Sequence, residues 1–284
     1  MSSRPFSHGV IPPQTFDWRT VSVTRSLREL FDLKGRKALV TGGGRGLGLQ
    51  VAEALAEAGA DVCITARKAA ELEVAAGSLA RHGVAAHWIA GDASIAEDVE
   101  RVAREAIERL GGVDILVNNA GATWGAPAED YPLAAWDKVM GLNVRSAFLF
   151  SQYIAKHSMI PSGGGRILMM ASAAGLLGNP PGIQTVAYNT SKAALINMTR
   201  TLAGEWGGFG ITVNALAPGF FPTKMTKGTF ETIDLDAFIA KVPLRRIGDE
   251  EDLRGAVILF ASNAGKHISG QILAIDGGYS AIGG

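Results

Sequence analysis

The chain has 284 residues, of which 47% are hydrophobic and 19% charged, and this suits one α/β domain with a large core. The 27 basic and 27 acidic residues balance, which argues against a nucleic-acid partner, and no apolar run is long enough to predict a membrane span. The five histidines are scattered, so we expect no metal site. The single cysteine, Cys63, lies in a strand-like run and is interpreted as a core residue in a reducing compartment. The N-terminus lacks a basic-then-apolar signal, and we expect a cytoplasmic protein.

Strand and helix patterns alternate along the chain, which is typical of an α/β fold with a doubly wound parallel sheet. Seven apolar runs are predicted to be its strands: 38–40, 62–65, 86–90, 115–117, 166–170, 212–216 and 272–275. A helix is predicted over 96–110, where the apolar residues form one stripe. Residues 1–32 are predicted to be an N-terminal extension, part of it helical. Its apolar residues suit docking on the domain or on a neighbouring subunit: Val21, Val23, Leu27, Leu30 and Phe31.

A glycine-rich turn follows the first predicted strand. Five glycines fall within residues 42–48, and a helix is predicted over 49–58. A strand, a glycine turn and a helix in this order bring a pyrophosphate against backbone N–H groups at the helix N-terminus. The glycines permit unusual φ values and a close approach of the ligand to the backbone. The turn therefore predicts a dinucleotide site, and a merely flexible glycine loop is the alternative.

A weak acid and a cation share one predicted helix face near the end of the second third of the chain. Tyr188 and Lys192 are four residues apart, so the ammonium can lie near the phenol. A free tyrosine titrates near pH 10, and a nearby positive charge favours its phenolate. The pair suits proton exchange with a hydroxyl or a carbonyl, although a surface Tyr and Lys at this spacing also occur without function.

Four motifs occur together in the order and at the distances of one enzyme family. They are Thr41-Gly42-x-x-x-Gly46-x-Gly48, Asn118-Asn119-Ala120-Gly121, Ser172 and Tyr188-x-x-x-Lys192. With these motifs the chain resembles the short-chain dehydrogenases/reductases from about Leu33 to the C-terminus. The resemblance implies a single-domain Rossmann fold over 33–284. It also implies an oxidoreductase that transfers hydride between a nicotinamide cofactor and a carbonyl or a secondary alcohol.

The resemblance also implies which residues bind the cofactor: Thr41, Gly42, Gly44, Arg45, Gly46, Leu47, Gly48, Arg67, Asp92, Ala93, Asn119, Ala120, Gly121, Tyr188, Lys192, Pro218, Gly219 and Thr223. In this architecture an acidic residue at the end of the second strand selects NAD. The predicted second strand ends at 65–68 without an Asp or a Glu, whereas Arg67 and Arg45 suit the 2′-phosphate of NADP. NADP(H) is therefore favoured over NAD(H), and two solvated surface arginines are the alternative.

Four residues are implied by the resemblance to carry the reaction. Ser172 closes the fifth predicted strand, at the edge where doubly wound sheets bind ligands, and its hydroxyl would hold the substrate oxygen. Tyr188 would exchange a proton with that oxygen, while Lys192 would lower the pKa of the phenol and hold the nicotinamide ribose. Asn143 would support a water that links Lys192 to solvent, or would make only a local backbone bond. Thr223 would bind the nicotinamide carboxamide.

The substrate is predicted less sharply than the chemistry. Residues 220–246 are expected to form the substrate lid, and Thr123, Trp124 and Gln184 to face the pocket. The stretch between Ser172 and Tyr188 is about three residues longer than is usual in the family, which should reshape the pocket wall around 178–184. The segments 217–226 and 188–192 look most like the gluconate 5-dehydrogenase-type branch, in which Lys224 would meet a sugar-acid carboxylate. The alternatives are a 3-oxoacyl thioester reductase, whose entrance would tolerate Lys224 and Lys227, and a non-catalytic dinucleotide-binding regulator.

The expected partner is a small carbonyl or alcohol substrate, with no nucleic acid and no membrane. The resemblance implies a homotetramer. A helix predicted over 126–158 and one over 188–206 would form one interface, and residues 271–284 would form the other.

Overall fold

Seven parallel strands form one sheet in the computed structural model, which describes residues 25–180, 182–226, 228 and 234–282. The strands are β1 (Lys37–Thr41), β2 (Asp61–Ala66), β3 (Ala86–Ala90), β4 (Ile115–Asn118), β5 (Gly165–Met170), β6 (Ile211–Pro218) and β7 (Ile272–Ile275). They lie in the order β3-β2-β1-β4-β5-β6-β7. The strand order reverses between β1 and β4, so a crevice opens there at the carboxyl ends. The predicted fold class is confirmed, and each predicted strand ends within two residues of the observed one.

Helices cover both faces of this sheet. They are α1 (Leu27–Phe31), α2 (Gly46–Glu57), α3 (Ala69–Ala80), α4 (Ala96–Leu110), α5 (Leu133–Met140), α6 (Ser146–Ile154), α7 (Ile160–Ser162), α8 (Val186–Trp206), α9 (Leu235–Ile239) and α10 (Arg254–Ala261). One core cluster joins the sheet to α4, α6 and α8, and the other joins it to α2, α3 and α10. Among the described residues, no helix is long and apolar enough to cross a membrane.

The strands build both core clusters because successive side chains of a strand point to opposite faces. In β1, Leu39 contributes to the cluster on the α4 face, whereas Ala38 and Val40 contribute to the other. All eight residues of β6 are buried, as expected for a strand covered on both sides. Burial of each large apolar side chain contributes about 1.5–3 kcal/mol to folding. The core therefore holds the carboxyl edge of the sheet, where the candidate site lies, on a rigid base.

Two predicted helix boundaries are wrong. The helix predicted over 126–158 begins only at Leu133, because Pro132 cannot continue a helical hydrogen-bond ladder and restricts the residue before it. It then runs on through two π-helical turns, Gly141–Arg145 and Ala155–Met159, into α7. The helix predicted over 49–58 begins three residues earlier, at Gly46, so two glycines of the turn belong to its first turn.

The part of the N-terminal extension that the structure describes contains one short helix. Ser26 caps α1: its side chain accepts a hydrogen bond from the Glu29 backbone N–H, while the Glu29 carboxylate accepts one from the Ser26 backbone N–H. Leu27 and Phe31 remain exposed, whereas Leu33 is fully buried in the core. Val21 and Val23 lie outside the described residues, so the docking predicted for the extension stays a prediction, as does the boundary at residue 32.

Candidate active site

The glycine turn lies at the carboxyl end of β1, and its glycines allow an approach that other residues would block. A Cβ atom on Gly48 would lie 2.2 Å from the carbonyl oxygen of Gly42, which itself has φ +67°. The helix that follows has no side-chain cap at Arg45. As first-turn residues, Gly46, Leu47 and Gly48 have backbone N–H groups without an acceptor inside the helix. Such an uncapped N-terminus beside a glycine turn fits an anionic group such as the pyrophosphate of a dinucleotide.

The middle of the turn rests on its neighbours. A Cβ atom on Gly43 would meet Ile64 Cγ2 at 2.7 Å, and one on Gly44 would lie 3.4 Å from Leu72 Cδ2. Gly44 therefore packs against α3 and Gly43 against β2. A side chain at Gly43 would push the turn away from the sheet, whereas a Cβ atom at Gly44 would make an ordinary contact.

Thr41 and Asn119 join the ends of β1 and β4. The Thr41 hydroxyl donates to the carbonyl of Val117 and accepts from the backbone N–H groups of Asn119 and Ala120, both at 3.0 Å. Asn119 Nδ2 donates to the carbonyls of Thr41 at 2.9 Å and of Gly42 at 3.2 Å. These predicted cofactor residues thus come together at the crevice and hold the glycine turn against the segment after β4.

Charged side chains gather beside the turn. Arg45 Nη1 lies 3.4 Å from Glu71 Oε1, and Lys68 Nζ lies 3.1 Å from the same oxygen. Sequence reasoning missed Glu71, because it searched for an acid at the end of β2 and Glu71 lies in the first turn of α3. The i,i+3 spacing of Lys68 and Glu71 was the available signal.

Asp92 and Ala93 follow β3, as predicted, next to this charged group. Asp92 Oδ1 accepts hydrogen bonds from the backbone N–H of Ser94 at 2.9 Å and from its hydroxyl at 2.7 Å. Burial raises the pKa of Asp92, but these hydrogen bonds and the charge of Arg67 outweigh it and hold the pKa below its usual value. Arg67 is exposed at the end of β2, and Ala93 packs against the core.

Ser172 follows β5 and caps the short 3₁₀ helix Ala173–Gly175. Its hydroxyl accepts from the Ala174 N–H at 3.2 Å and lies 3.4 Å from the carbonyl of Pro218. It also interacts with the phenol of Tyr188, which comes from the first turn of α8, and this interaction acts to lower the pKa of that phenol. The structure therefore brings Ser172 and Tyr188 together from two separate elements.

Tyr188 and Lys192 share one face of α8, as predicted. Lys192 is 5% exposed, its Nζ donates to the carbonyl of Met170 at 2.6 Å, and the same atom lies 5.5 Å from the centre of the Tyr188 ring. Burial lowers the pKa of Lys192 to about 8. Burial raises the pKa of Tyr188, and the hydrogen bond with Ser172 opposes this only in part. The pKa of Tyr188 therefore lies above its ordinary value, whereas the resemblance implied a lowering by Lys192.

Asn143 lies in the π-helical turn after α5 and is buried. Its side chain binds both backbone groups of Ala122, at 2.8 Å and 2.9 Å, and donates to the hydroxyl of Ser191 at 2.8 Å. A Cβ atom on Gly121 would lie 3.2 Å from Asn143 Oδ1, so the segment after β4 packs directly on this amide. Neither contact is the local backbone bond that was the alternative, because Ala122 is 21 residues away; the amide instead joins that segment to the residue before Lys192.

The segment after β6 crosses the crevice. Gly219 packs so closely on Asp276 that a Cβ atom would lie 2.8 Å from that residue's own Cβ. The Thr223 hydroxyl lies 3.2 Å from that of Thr226, and a Cβ atom on Gly46 would lie 3.7 Å from Thr223 Cγ2. The first part of the predicted lid therefore reaches the glycine turn.

A cavity of about 640 Å³ opens beside Ser172 and Tyr188. Its apolar wall includes Leu177, Ile183, Phe220, Phe221, Met225 and Phe238. Thr123 lines it as predicted, whereas Trp124, Gln184 and Lys224 are not among its lining residues. Residues 274–281, which sequence reasoning assigned only to a subunit interface, also line it.

The charged side chains of this cavity are engaged with one another or with the backbone. Arg246 makes a two-pronged ion pair with Asp252, at 2.5 Å and 2.6 Å, which lowers the pKa of Asp252 to about 2. The Asp276 carboxylate accepts from the backbone N–H groups of Gly278 and Ser280. The described part of the chain contains no group of three or more His, Cys, Asp or Glu side chains that could hold a metal.

Comparison with known proteins agrees with this geometry. A family model described as enoyl-(acyl carrier protein) reductase matches residues 42–280. The chain is 39% identical to a gluconate 5-dehydrogenase of Gluconobacter oxydans over 253 residues, which cover 88% of this chain and 96% of that protein. It is 40% identical to the rhamnolipids biosynthesis 3-oxoacyl-[acyl-carrier-protein] reductase of Pseudomonas aeruginosa, over 88% of this chain and 98% of that protein.

One solved structure extends the likeness to the fold. The gluconate 5-dehydrogenase of Burkholderia cenocepacia, in complex with NADP and tartrate, superposes with a TM-score of 0.86 at 33% identity, and the match covers 91% of this chain and 100% of that one. The chain belongs to the short-chain dehydrogenase/reductase family, whose members are oxidoreductases acting on alcohol and ketone substrates.

Proposed function

We propose that the chain uses NADP(H) to reduce a ketone, or to oxidise the corresponding alcohol, with Ser172, Tyr188 and Lys192 at the reacting oxygen. The observation that carries this proposal is that Ser172 and Tyr188 line one cavity, while the buried Lys192 Nζ lies 5.5 Å from the centre of the Tyr188 ring. Bound NADPH would supply the hydride to the carbonyl carbon.

The protein's own groups would handle the proton and the developing charge. The Tyr188 phenol is protonated at neutral pH, and its hydroxyl would donate that proton to the alkoxide oxygen. The Ser172 hydroxyl would hold the same oxygen and stabilise its negative charge. The Lys192 ammonium adds positive charge behind the phenol and would hold the nicotinamide ribose, while Asn143 would position the segment after β4. Oxidation of the alcohol follows the same path in reverse.

NADP(H) rather than NAD(H) is supported by the side chains beside the glycine turn. Arg45, Arg67 and Lys68 surround the end of β2, where a guanidinium can bind a phosphate through two hydrogen bonds. The related Burkholderia enzyme was solved with NADP. The remaining predicted cofactor residues would bind the rest of the molecule between these cations and Tyr188: Thr41, Gly42, Gly44, Gly46, Leu47, Gly48, Asp92, Ala93, Asn119, Ala120, Gly121, Pro218, Gly219 and Thr223.

The cavity favours a ketone that carries an apolar group. Its wall is mostly aliphatic and aromatic, and Arg246, the arginine that lines it, is already paired with Asp252. A 3-oxoacyl thioester, the substrate type named for the Pseudomonas relative, suits such a wall. A sugar acid is the second candidate, because two gluconate 5-dehydrogenases are similar along nearly their whole length. Lys224, which was expected to meet its carboxylate, does not line the cavity.

The test combines substrates with a variant. NADPH oxidation is followed with 5-ketogluconate and with a short 3-oxoacyl thioester, for the wild-type chain, Tyr188→Phe and the control Tyr131→Phe, whose hydroxyl donates to the Trp124 carbonyl. We expect Tyr188→Phe to lose about 10²–10⁴-fold in turnover while keeping its affinity for NADPH, measured by fluorescence. Turnover of Tyr188→Phe equal to that of Tyr131→Phe would refute the proposed chemistry. Turnover of only one ketone would decide the substrate class.

We also infer that the chain forms a homotetramer and is cytoplasmic. A homotetramer would pair α5–α6 and α8 across one interface, where Leu133 and Phe148 are exposed, and residues 271–284 across the other, where Leu273 is exposed. The single cysteine, Cys63, is buried and unpaired, which agrees with a cytoplasmic protein.

A further inference from the structure

A carboxylate sits among the cations that are proposed to bind the 2′-phosphate. Glu71 Oε1 accepts from Arg45 Nη1 at 3.4 Å and from Lys68 Nζ at 3.1 Å. Arg45 precedes α2 and Lys68 precedes α3, so two separate helix starts direct their cations to one oxygen. The Glu71 side chain is 31% exposed, compared with 51% for Arg45 and 65% for Lys68. The acid is thus the inner member of the group, and the two cations lie over it.

A third cation acts on the same carboxylate. The pKa of Glu71 lies below its usual value, chiefly because Lys68 hydrogen-bonds to it, and the charges of Arg45 and Lys224 lower it further. Lys224 belongs to the lid segment, whose neighbour Thr223 lies over the glycine turn. Cations from three parts of the chain therefore share one negative charge, which stays ionised at neutral pH.

NADP and NAD differ at this place by one phosphate. A phosphate that binds Arg45 and Lys68 must compete with a carboxylate that already accepts from both, and the two anions repel each other at short range. An unphosphorylated ribose meets no such competition. We propose that Glu71 determines how strongly this chain prefers NADP(H). It pairs with the cations that bind the phosphate and so weakens the affinity for NADP(H), which reduces the difference between the affinities for NADP(H) and NAD(H). This inference rests on the proposed use of NADP(H).

The test measures binding without catalysis. The dissociation constants of 2′,5′-ADP and of 5′-AMP are determined by calorimetry for the full-length wild-type chain, Glu71→Gln and Glu73→Gln. Glutamine keeps the size of the side chain but removes its charge. Glu73 is exposed on the same helix, so the control variant makes the same change in net charge two residues away. We expect Glu71→Gln to bind 2′,5′-ADP about five-fold more tightly, the gain from releasing two exposed ion pairs. We expect 5′-AMP to bind all three proteins equally.

A double-mutant cycle locates the effect. In a chain that carries both Arg45→Met and Lys68→Met, Glu71→Gln should raise the affinity for 2′,5′-ADP clearly less than it does in the wild-type chain, because the two cations that pair with Glu71 are gone and only the repulsion between the carboxylate and the phosphate is removed. Equal affinities of Glu71→Gln and Glu73→Gln for 2′,5′-ADP would overturn the inference. Weaker binding by Glu71→Gln would do the same, since Glu71 would then hold Arg45 in its binding position. A wild-type chain that binds 5′-AMP as tightly as 2′,5′-ADP, with no gain in Glu71→Gln, would overturn the NADP(H) assignment as well.

Discussion

Lys192 carries a buried ammonium group. It is 5% exposed, and its single hydrogen bond among the described residues runs to the Met170 carbonyl at 2.6 Å. Burial lowers the pKa from 10.5 to about 8, because a charged amine loses its hydration there. Below about pH 8 the lysine is charged in both the folded and the unfolded chain, and the full destabilisation applies. Between about pH 8 and 10.5 only the unfolded chain binds the proton, so this destabilisation disappears as the pH rises.

Lys192→Met should therefore change stability in a pH-dependent manner. At pH 7 the variant escapes the cost of the buried charge, and this advantage over the wild-type chain should shrink by about 3 kcal/mol as the pH rises from 8 to 10.5. Urea unfolding at several pH values measures the difference in the free energy of unfolding. Lys156→Met, which removes an exposed lysine, is the control and should show little change over this range. A constant difference between Lys192→Met and the wild-type chain would contradict the assigned burial.

The sequence predicts the placement of a site residue when its neighbours lie on the same helix or at the same strand end. Tyr188 and Lys192 follow from i,i+4 spacing, and the position of Ser172 follows from the end of β5. Glu71 does not follow, because its partner Arg45 lies 26 residues away and only the packing of α3 beside the glycine turn brings them together. The direction of Lys192 Nζ depends likewise on the Met170 carbonyl of another element.

Among the elements, the long stretch between Ser172 and α8 is held by side-chain amides. Asn179 Nδ2 donates to the Ile183 carbonyl at 3.0 Å and to the Thr185 hydroxyl at 2.8 Å. Asn189, the residue after Tyr188, donates to Asn179 Oδ1 at 2.9 Å. The described residues of this stretch that line the cavity, 177–180 and 183, are thus joined to the helix that carries Tyr188.

Asn179→Ala should loosen this wall and leave the cofactor site intact. We expect the KM for a 3-oxoacyl substrate to rise about ten-fold, because an ordered wall must then be formed on binding, while the affinity for NADPH stays the same. Lost hydrogen bonds cost about 1 kcal/mol each at most sites, so a modest fall in Tm should accompany this change. Asn197→Ala, an exposed change on α8, is the control. A fall in kcat with an unchanged KM would instead place the effect of Asn179 on Tyr188.

The sequence predicts helix boundaries best where a residue at the boundary itself ends the helix. The helix 96–110 has the predicted bounds, since its apolar stripe ends at Gly111, which takes the left-handed conformation with φ +69°. The start of the helix predicted over 126–158 is wrong, and the observed helix contains two π-helical turns that no local residue pattern predicts. One of these turns carries Asn143, so its amide is directed by tertiary contacts to Ala122 and Ser191.

For the whole molecule, the reactivity of Cys63 is a probe of whether the central strands of the sheet remain paired. It lies in β2, between β1 and β3, with 0% exposure, and burial raises the pKa of its thiol to about 12. A thiol reagent needs both access and the thiolate. Neither is present while the central strands remain paired.

Cys63 should therefore react with a disulfide reagent only when the chain unfolds. Because it is the single cysteine, the absorbance of the released chromophore should stay flat in native buffer and rise to one equivalent through the urea transition. The transition should coincide with loss of the circular dichroism signal. Cys63→Ser provides the blank. Fast reaction in native buffer would show that β2 opens locally, well below the free energy of global unfolding.

The architecture as a whole was predictable because alternating strands and helices leave few arrangements of a parallel sheet. The strand order and the shape of the cavity were not, since they depend on how distant segments meet. Residues 274–281 reach the cavity through the packing of the segment after β7 against Phe238, 5.3 Å from the ring of Tyr279. No local pattern near the C-terminus indicates that contact.

The strand order also has a consequence for synthesis on the ribosome. β1 pairs with β2, its neighbour in the chain, but also with β4, so that Ala38 lies beside Ile115. The glycine turn is held in place only when the Asn119 side chain donates its hydrogen bond to the Thr41 carbonyl. A nascent chain therefore cannot complete its nucleotide-binding crevice until the residues after β4 have left the exit tunnel. Until then the apolar edge of β1 is open to other chains, which gives chaperones a defined interval in which to protect it.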